Sequence, residues 1–212
     1  MMNNIKETIV VLLCTAALVL LGTAAANIHK ERETVCSNNL KQIYVASACY
    51  SADHDDYIPR MLQMKYNRGI FWSDTVKSYT KNYRYFYCPA DEKRGRKGLD
   101  HDELLPTRYA GAYVSYGING HLSGVHKREK NVEKLNNIKN PAYVIYYGDA
   151  QKRFLRSIGR LWAQDYYPVH ENSMLAVMAD GHAEKFNQES LGTYGSLPGW
   201  KRDVKRWKQW KK

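Results

Sequence analysis

Two histidines and an aspartate in the C-terminal third of the chain have side chains suited to metal chemistry. His170, Asp180 and His182 offer imidazole and carboxylate groups, both of which bind zinc well. Asp180 and Gly181 also suit a tight type I′ turn, in which both central residues take a positive φ. The segment therefore has two interpretations, a metal site or a structural turn with His170 bonded to a loop. Three ligands without an evident fourth favour the turn.

Cysteine is the other residue type that could define chemistry here. Cys14, Cys36, Cys49 and Cys88 include no C-x-x-C pair, which argues against a zinc ribbon or a thioredoxin-like centre. Cys14 lies inside an apolar segment. The other three leave one disulfide and one free thiol if the domain is exported, and their spacing does not decide the connectivity.

Common catalytic signatures are missing from the sequence. It contains no G-x-S-x-G, no G-x-x-x-x-G-K and no H-E-x-x-H. We therefore expect no catalytic residues and no cofactor, and predict that the protein is not an enzyme. The competing hypothesis is a metal-dependent hydrolase centred on His170, Asp180 and His182.

An apolar stretch near the N-terminus dominates the remaining organisation. Residues 9–26 carry no charge, and these 18 mostly apolar residues approach the length needed to cross about 30 Å of hydrocarbon. A retained anchor over residues 1–26 is favoured, because the run is long for a signal peptide. A cleaved signal peptide is the alternative, since Lys6 precedes the run and Ala24, Ala25 and Ala26 resemble a cleavage site before Asn27.

Helical periodicity continues beyond this stretch. Leu40, Ile43, Ser47 and Tyr50 recur at helical spacing with polar residues between them, so residues 27–52 are predicted to extend the anchor as an amphipathic helix. The run of acidic residues from Asp53 to Asp56 is expected to end it.

Short strands are predicted after the helix. Residues 83–87 and 142–147 read as strands, and residues 174–179 and 182–186 as a hairpin around Asp180–Gly181. Residues 91–108 and 121–140 read as surface loops. One long helix followed by short antiparallel strands is typical of an α+β fold, here with a globular part over residues 53–195.

The positive charge is concentrated at the C-terminus. The chain of 212 residues has a net charge of +11, and the last twelve residues supply +6 of it. Residues 196–212 form a basic, tryptophan-containing tail that suits an anionic membrane surface or another acidic partner. Because the rest of the chain is only mildly basic, we expect no nucleic-acid partner.

Four short motifs, taken in order, resemble one known family. They are Cys36-Ser37-Asn38-Asn39-Leu40-Lys41-Gln42-Ile43, Tyr87-Cys88-Pro89-Ala90-Asp91, Ser115-Tyr116-Gly117-Ile118-Asn119, and His170 followed after nine residues by Asp180-Gly181. Behind an apolar N-terminal helix, they are similar to the prepilin-type H-x(9)-D-G family of type IV pilin-like and type II secretion pseudopilin-like proteins.

The resemblance implies an architecture and a role. It implies a long helix, embedded in a bacterial inner membrane through its first half, packed on a small antiparallel sheet. It also places Cys36 and Cys88 in family-like segments, so a Cys36–Cys88 disulfide is expected, with Cys49 as the rival partner. The function expected is a structural or assembly subunit of the bacterial envelope. Its partners would be the membrane and other copies or pilin-like subunits.

The extreme N-terminus departs from the family pattern. Glu7 matches the glutamate that pilins use in assembly and processing, but Met2 stands where the family has the glycine before the cleavage point. Processing is therefore not expected, and a single-pass protein with a cytoplasmic N-terminus and a periplasmic or extracellular domain is predicted. The alternative function is an exported binding module for an acidic polysaccharide or lipid, released by signal-peptide cleavage.

Overall fold

The structure is a computed structural model that describes residues 2–65, 68–80, 82–91, 114–120, 122–124, 132–150, 154–155 and 167–187. The predicted basic tail over residues 196–212 and most of the predicted loop over residues 91–108 lie outside these ranges.

A single continuous helix forms the N-terminal quarter of the chain. Helix α1 runs from Met2 to Asp53, which corresponds to about 78 Å at 1.5 Å per residue. It contains an 18-residue window with a mean hydropathy of 2.5, none of it buried, and is long and apolar enough to cross a membrane. The helix ends before Asp55 and Asp56, both of which have positive φ.

The second half of α1 has one buried face. Cys36, Leu40, Ile43 and Ser47 are fully buried, while Val45 on another face is 52% exposed. The buried positions recur every three or four residues, as on one face of an amphipathic helix.

A five-stranded sheet receives this face of α1. Its strand order is β5-β3-β4-β6-β7, and all neighbours are antiparallel except β5, which runs parallel to β3. A separate two-stranded hairpin is formed by β1 and β2. The bounds are β1 Leu62–Lys65, β2 Arg68–Phe71, β3 Tyr116–Asn119, β4 Ile145–Asp149, β5 Phe154–Leu155, β6 Ser173–Met178 and β7 Ala183–Asn187.

Both faces of strand β6 are buried. Leu175 and Val177 face the core shared with α1, and Met174 and Met178 belong to a second apolar cluster. Gly148 on β4 allows the close approach of the two strands, since a Cβ there would lie 2.9 Å from the Met174 side chain. The expected α+β class, with one long helix packed on a small and mostly antiparallel sheet, is confirmed.

The predicted strand over residues 83–87 is wrong. Tyr83–Phe86 form a 3₁₀ helix, in which the Asn82 side chain accepts a hydrogen bond from the Arg84 N–H at 2.9 Å. The turn places Phe86 in the core, where its ring centroid lies 5.7 Å from that of Trp72. Alternating aromatic residues indicate a strand only where no side-chain cap offers the backbone another partner.

The strand predicted over residues 142–147 begins later than expected. Pro141–Tyr143 form a 3₁₀ turn after Asn140, which adopts a left-handed conformation. Proline favours the first position of such a turn, and β4 then continues to Asp149. Two other short helices complete the described part of the fold, α2 at Trp72–Lys77 and a 3₁₀ turn at Leu135–Asn137.

The predicted hairpin is present, with strands β6 and β7, but its turn differs from the prediction. Gly181 has a φ of 92°, whereas Asp180 does not have a positive φ. The Gly181 N–H donates to the Met178 carbonyl at 2.9 Å, and the Met178 N–H donates to the His182 carbonyl at 2.8 Å. Met178 and His182 therefore close the loop, which has three residues, 179–181, instead of the two of a type I′ turn.

Candidate functional site

His170 lies at the start of β6 with its side chain buried. Its backbone exchanges hydrogen bonds of 3.0 and 2.9 Å with Ser173 across Glu171 and Asn172, both of which have positive φ. This tight turn directs the imidazole inward, where Nε2 lies 3.3 Å from Cys88 Sγ and 3.5 Å from Asp149 Oδ2. The predicted role of His170 in bonding a loop is replaced by contacts to a sulfur atom and a carboxyl group.

The expected disulfide joins α1 to the segment after the first 3₁₀ helix. Cys36 and Cys88 are bonded, with their Cα atoms 5.1 Å apart, and both residues are fully buried. Cys14 and Cys49 are free and exposed. The bond links helix and sheet across a separation of 52 residues.

Asp149 is a buried carboxyl group at the end of β4. Its Oδ2 accepts a hydrogen bond from the Leu175 N–H at 2.7 Å, while Oδ1 has no hydrogen-bond partner among the described residues. Burial raises the pKa of Asp149 well above its usual range. Burial also lowers the pKa of His170 to about 4. We therefore describe the contact between them as one between neutral groups rather than as an ion pair.

A second buried carboxyl group lies nearby. Asp91 Oδ1 accepts a hydrogen bond from the Tyr167 hydroxyl at 2.9 Å, and Asp91 Oδ2 has no partner within the described ranges. We call Cys36, Cys88, Asp91, Asp149 and His170 the His170 cluster. Its members come from α1, β4, the segment after the first 3₁₀ helix and the turn before β6, so it forms only when helix and sheet have docked.

The Asp-Gly end of the motif also contacts α1. A Cβ on Gly181 would lie 2.6 Å from Tyr44 Cε1, so the glycine allows the turn to lie directly against the tyrosine ring. The Tyr44 hydroxyl donates to the Ala179 carbonyl at 3.3 Å. The two ends of the H-x(9)-D-G pattern thus hold the two ends of β6 against α1.

His170 lies apart from Asp180 and His182, so the less favoured interpretation of the three as one metal site has no common location. Strand β6 separates His170 from the other two residues, and its six residues span about 17 Å. Asp180 and His182 instead contact each other on the surface, with His182 Nδ1 2.7 Å from Asp180 Oδ1. The prediction treated closeness in sequence as closeness in space.

An open cavity of about 280 Å³ lies beside His170, between α1 and the turn before β6. Nearby, Glu33 on α1 forms an ion pair with Lys185 on β7, with 2.5 Å between Oε2 and Nζ. His170 therefore separates a solvent-facing cavity from the buried disulfide. The lining residues are Ala26, His29, Lys30, Glu33, Ala90, Val169, His170 and Glu171.

No protein-family model, curated protein or solved structure matches the chain. The similarity of its short motifs to the prepilin-type family therefore remains a resemblance.

Three further hydrogen bonds place the remaining motif residues. Asn39 Nδ2 donates to the Tyr87 carbonyl at 2.9 Å, and the Tyr116 hydroxyl donates to the Cys36 carbonyl at 3.4 Å. Asn119 Nδ2 donates to the Ile145 carbonyl at 2.7 Å within the sheet. The motifs thus lie where α1 meets the sheet or inside the sheet, and their residues serve docking.

Sequence reasoning missed Asp149 and Tyr44. A carboxylate ending the apolar run Ile145–Asp149 was the available signal, because a polar residue at the end of a buried strand needs a partner. Tyr44 had no signal, since its contact depends on the crossing of helix and hairpin. Glu7 lies on the exposed surface of α1.

Proposed function

We propose that the protein is a membrane-anchored structural or assembly subunit of a bacterial envelope, built like a pilin or pseudopilin. The observation that carries the proposal is the division of α1 into two halves. Apolar side chains in the first half are exposed, as Leu13 at 65% and Leu18 at 69% illustrate, whereas the second half packs on the sheet. So large an exposed apolar surface requires lipid or another apolar partner.

The location of the domain follows from its cysteines. A buried disulfide persists in oxidising compartments and is rare in the cytoplasm. The proposal therefore places the globular part in the periplasm or outside the cell and the N-terminus in the cytoplasm. Reaction of Cys49 with a water-soluble thiol reagent in washed native membranes, while Cys36 and Cys88 stay unreactive, would support this location.

Membrane extraction of charged variants tests the anchor. In Leu13→Arg/Leu18→Arg, each arginine costs about 2.5–3.5 kcal/mol at the centre of a membrane helix. The variant should leave carbonate-washed membranes. The matched control is Val35→Arg/Val45→Arg, which changes exposed positions on the packed half of the same helix. Equal retention of both variants would overturn the proposal.

Assembly through the anchor is tested with a cysteine already present. Cys14 is exposed on the apolar half of α1, so chains that associate through this half should form a Cys14 cross-link on mild oxidation. Cys49→Ser removes the other free thiol, and Cys14→Ser supplies the control. If Glu7 takes part in assembly, Glu7→Gln should reduce the yield, whereas Glu31→Gln should not. A protein that never cross-links is an anchored monomer.

A further inference from the structure

The cysteines of the disulfide and the histidine beside it have the composition of a zinc site. Cys36 Sγ, Cys88 Sγ and His170 Nε2 all lie within 4.8 Å of one another, and all three residues are buried. Two thiolates and an imidazole are a common ligand set for zinc. In the oxidised protein the sulfurs are bonded to each other, so the set becomes available only after reduction.

The distances around His170 Nε2 fit a tetrahedral ion. With metal–ligand bonds of about 2.0–2.3 Å, tetrahedral geometry separates nitrogen from sulfur by about 3.6 Å and nitrogen from oxygen by about 3.3 Å. The observed separations are 3.3 Å to Cys88 Sγ and 3.5 Å to Asp149 Oδ2. The nitrogen–sulfur edge of a coordination tetrahedron is therefore already near its required length.

Asp149 lies beside these three ligands rather than among them. Its Oδ2 lies 3.5 Å from His170 Nε2 and accepts a hydrogen bond from the Leu175 N–H at 2.7 Å.

We propose that the reduced chain binds one zinc ion through Cys36, Cys88 and His170, with a solvent water in the fourth position, because His170 also lines the open cavity. Two sulfur ligands and one nitrogen favour zinc over calcium or magnesium, which prefer oxygen. The chain after export and before oxidation is the form in which the thiols are free and the helix can dock. The ion would then hold α1 to the turn before β6 at the point where the disulfide later forms.

Reduction of the Cys36–Cys88 bond must precede the binding of zinc. A dithiol reductant gives two electrons and two protons to the Cys36–Cys88 bond, yields two thiols and closes into its own disulfide. Zinc then displaces the two thiol protons, so binding strengthens as pH rises. Oxidation reverses the exchange and releases the ion.

The test uses Co²⁺ as the probe, because cobalt–thiolate bonds absorb in the near ultraviolet. Full-length Cys14→Ser/Cys49→Ser protein is unfolded in urea and reduced with a phosphine. The phosphine takes the oxygen of one water molecule and becomes its oxide, and the two sulfurs gain that water's protons. The protein is then refolded in detergent with Co²⁺. We expect thiolate charge-transfer bands that saturate at one Co²⁺ per chain and disappear when Zn²⁺ is added. The oxidised protein should give none.

Matched histidine variants assign the nitrogen ligand. His170→Ala should weaken Co²⁺ binding by more than about tenfold, since even outer-shell partners of a metal contribute that much. His182→Ala, on the exposed turn, should leave it unchanged.

Three results overturn the proposal. The first is a refolded, reduced protein without thiolate bands, and the second is a titration that His170→Ala does not change. The third is failure to refold with Co²⁺ present, because a metal at this site must stabilise the docked helix. Membrane extraction of the oxidised protein is independent of all three, so the proposed function is tested separately.

Discussion

At the residue scale, Gly181 holds the least replaceable position of the hairpin. It combines a φ of 92° with a close approach to Tyr44. An alanine there would be strained in its backbone and would push against the ring at the same time. The backbone strain is a property of position 181, whereas the steric contact depends on Tyr44. Mutation of Tyr44 therefore separates the two effects.

We predict that Gly181→Ala lowers the free energy of unfolding by about 1–3 kcal/mol. The measurement is urea unfolding of the protein in detergent. Tyr44→Ala should relieve part of this cost, so the double variant should lose less than the two single losses added together. Gly22→Ala serves as the control, because a Cβ there meets nothing within 4 Å. Additive losses would show that the Tyr44 contact is immaterial.

His170 makes stability depend on pH in a defined direction. Its pKa is about 4 in the folded protein, against an ordinary value of 6.5. The unfolded chain therefore binds the proton more readily than the folded protein. The stability that neutral His170 contributes is complete above about pH 6.5 and is lost as the pH falls towards about 4. The charged or titratable side chains around this region include Asp91, Asp149 and Lys185, together with those of the cavity wall, His29, Lys30, Glu33 and Glu171.

The check is the difference in unfolding free energy between the unaltered protein and His170→Gln, measured at several pH values. The advantage of the unaltered protein should shrink by about 2–3 kcal/mol between about pH 6.5 and 4. The raised pKa of Asp149 acts in the opposite direction, but it is present in both proteins and largely cancels from the difference. A constant difference would mean that His170 titrates normally.

At the scale of elements, the disulfide fixes the docking of α1. It closes a loop of 52 residues, for which loop-entropy arguments give about 4 kcal/mol and typical measurements about 2–4 kcal/mol. In metal-free buffer, Cys36→Ser/Cys88→Ser should lose this amount in urea unfolding. Cys49→Ser, at an exposed free cysteine, should lose almost nothing. Equal losses in the two variants would contradict the assigned pairing.

The long elements could be predicted from the sequence because their patterns are local. An uncharged apolar run followed by apolar residues at helical spacing predicted α1, and two short runs on either side of Asp180–Gly181 predicted the β6–β7 hairpin. The prediction for residues 83–87 failed because the side chain of Asn82, two residues before Arg84, accepts the Arg84 N–H. This bond offers the backbone an alternative to strand pairing. The bounds of β4 shifted because Pro141 begins a turn.

The candidate site was predictable only in part. Family-like segments pointed to a Cys36–Cys88 disulfide and to His170, yet nothing local indicated that His170 or Asp149 lies beside that disulfide. Their contacts span separations of 52 and 82 residues and arise from the crossing of α1 over the sheet. Asp180 and His182 were assigned to the same site because sequence spacing does not show that β6 lies between them.

At the scale of the whole molecule, the N-terminus decides between two forms of an anchored subunit. Pilin-type assembly uses a new amine created by cleavage, which neutralises a neighbour's glutamate inside the membrane, where an unpaired carboxylate is costly. Glu7 is present for this role, but Met2 stands where the resemblance calls for glycine. We therefore predict that the chain remains uncleaved and anchored as made.

Intact mass of the protein from washed membranes of its native host measures this directly. We expect the mass of the full chain, or of the chain without Met1, with one disulfide. A chain beginning at Asn3 with an added methyl group would contradict the prediction and make polymerisation the leading interpretation. A soluble chain beginning at Asn27 would instead mean that residues 1–26 are a cleaved signal, and salt-dependent binding through residues 196–212 would then become the property to measure. An uncleaved chain carries the apolar half of α1 without a new amine, so any association between copies must rest on helix packing alone.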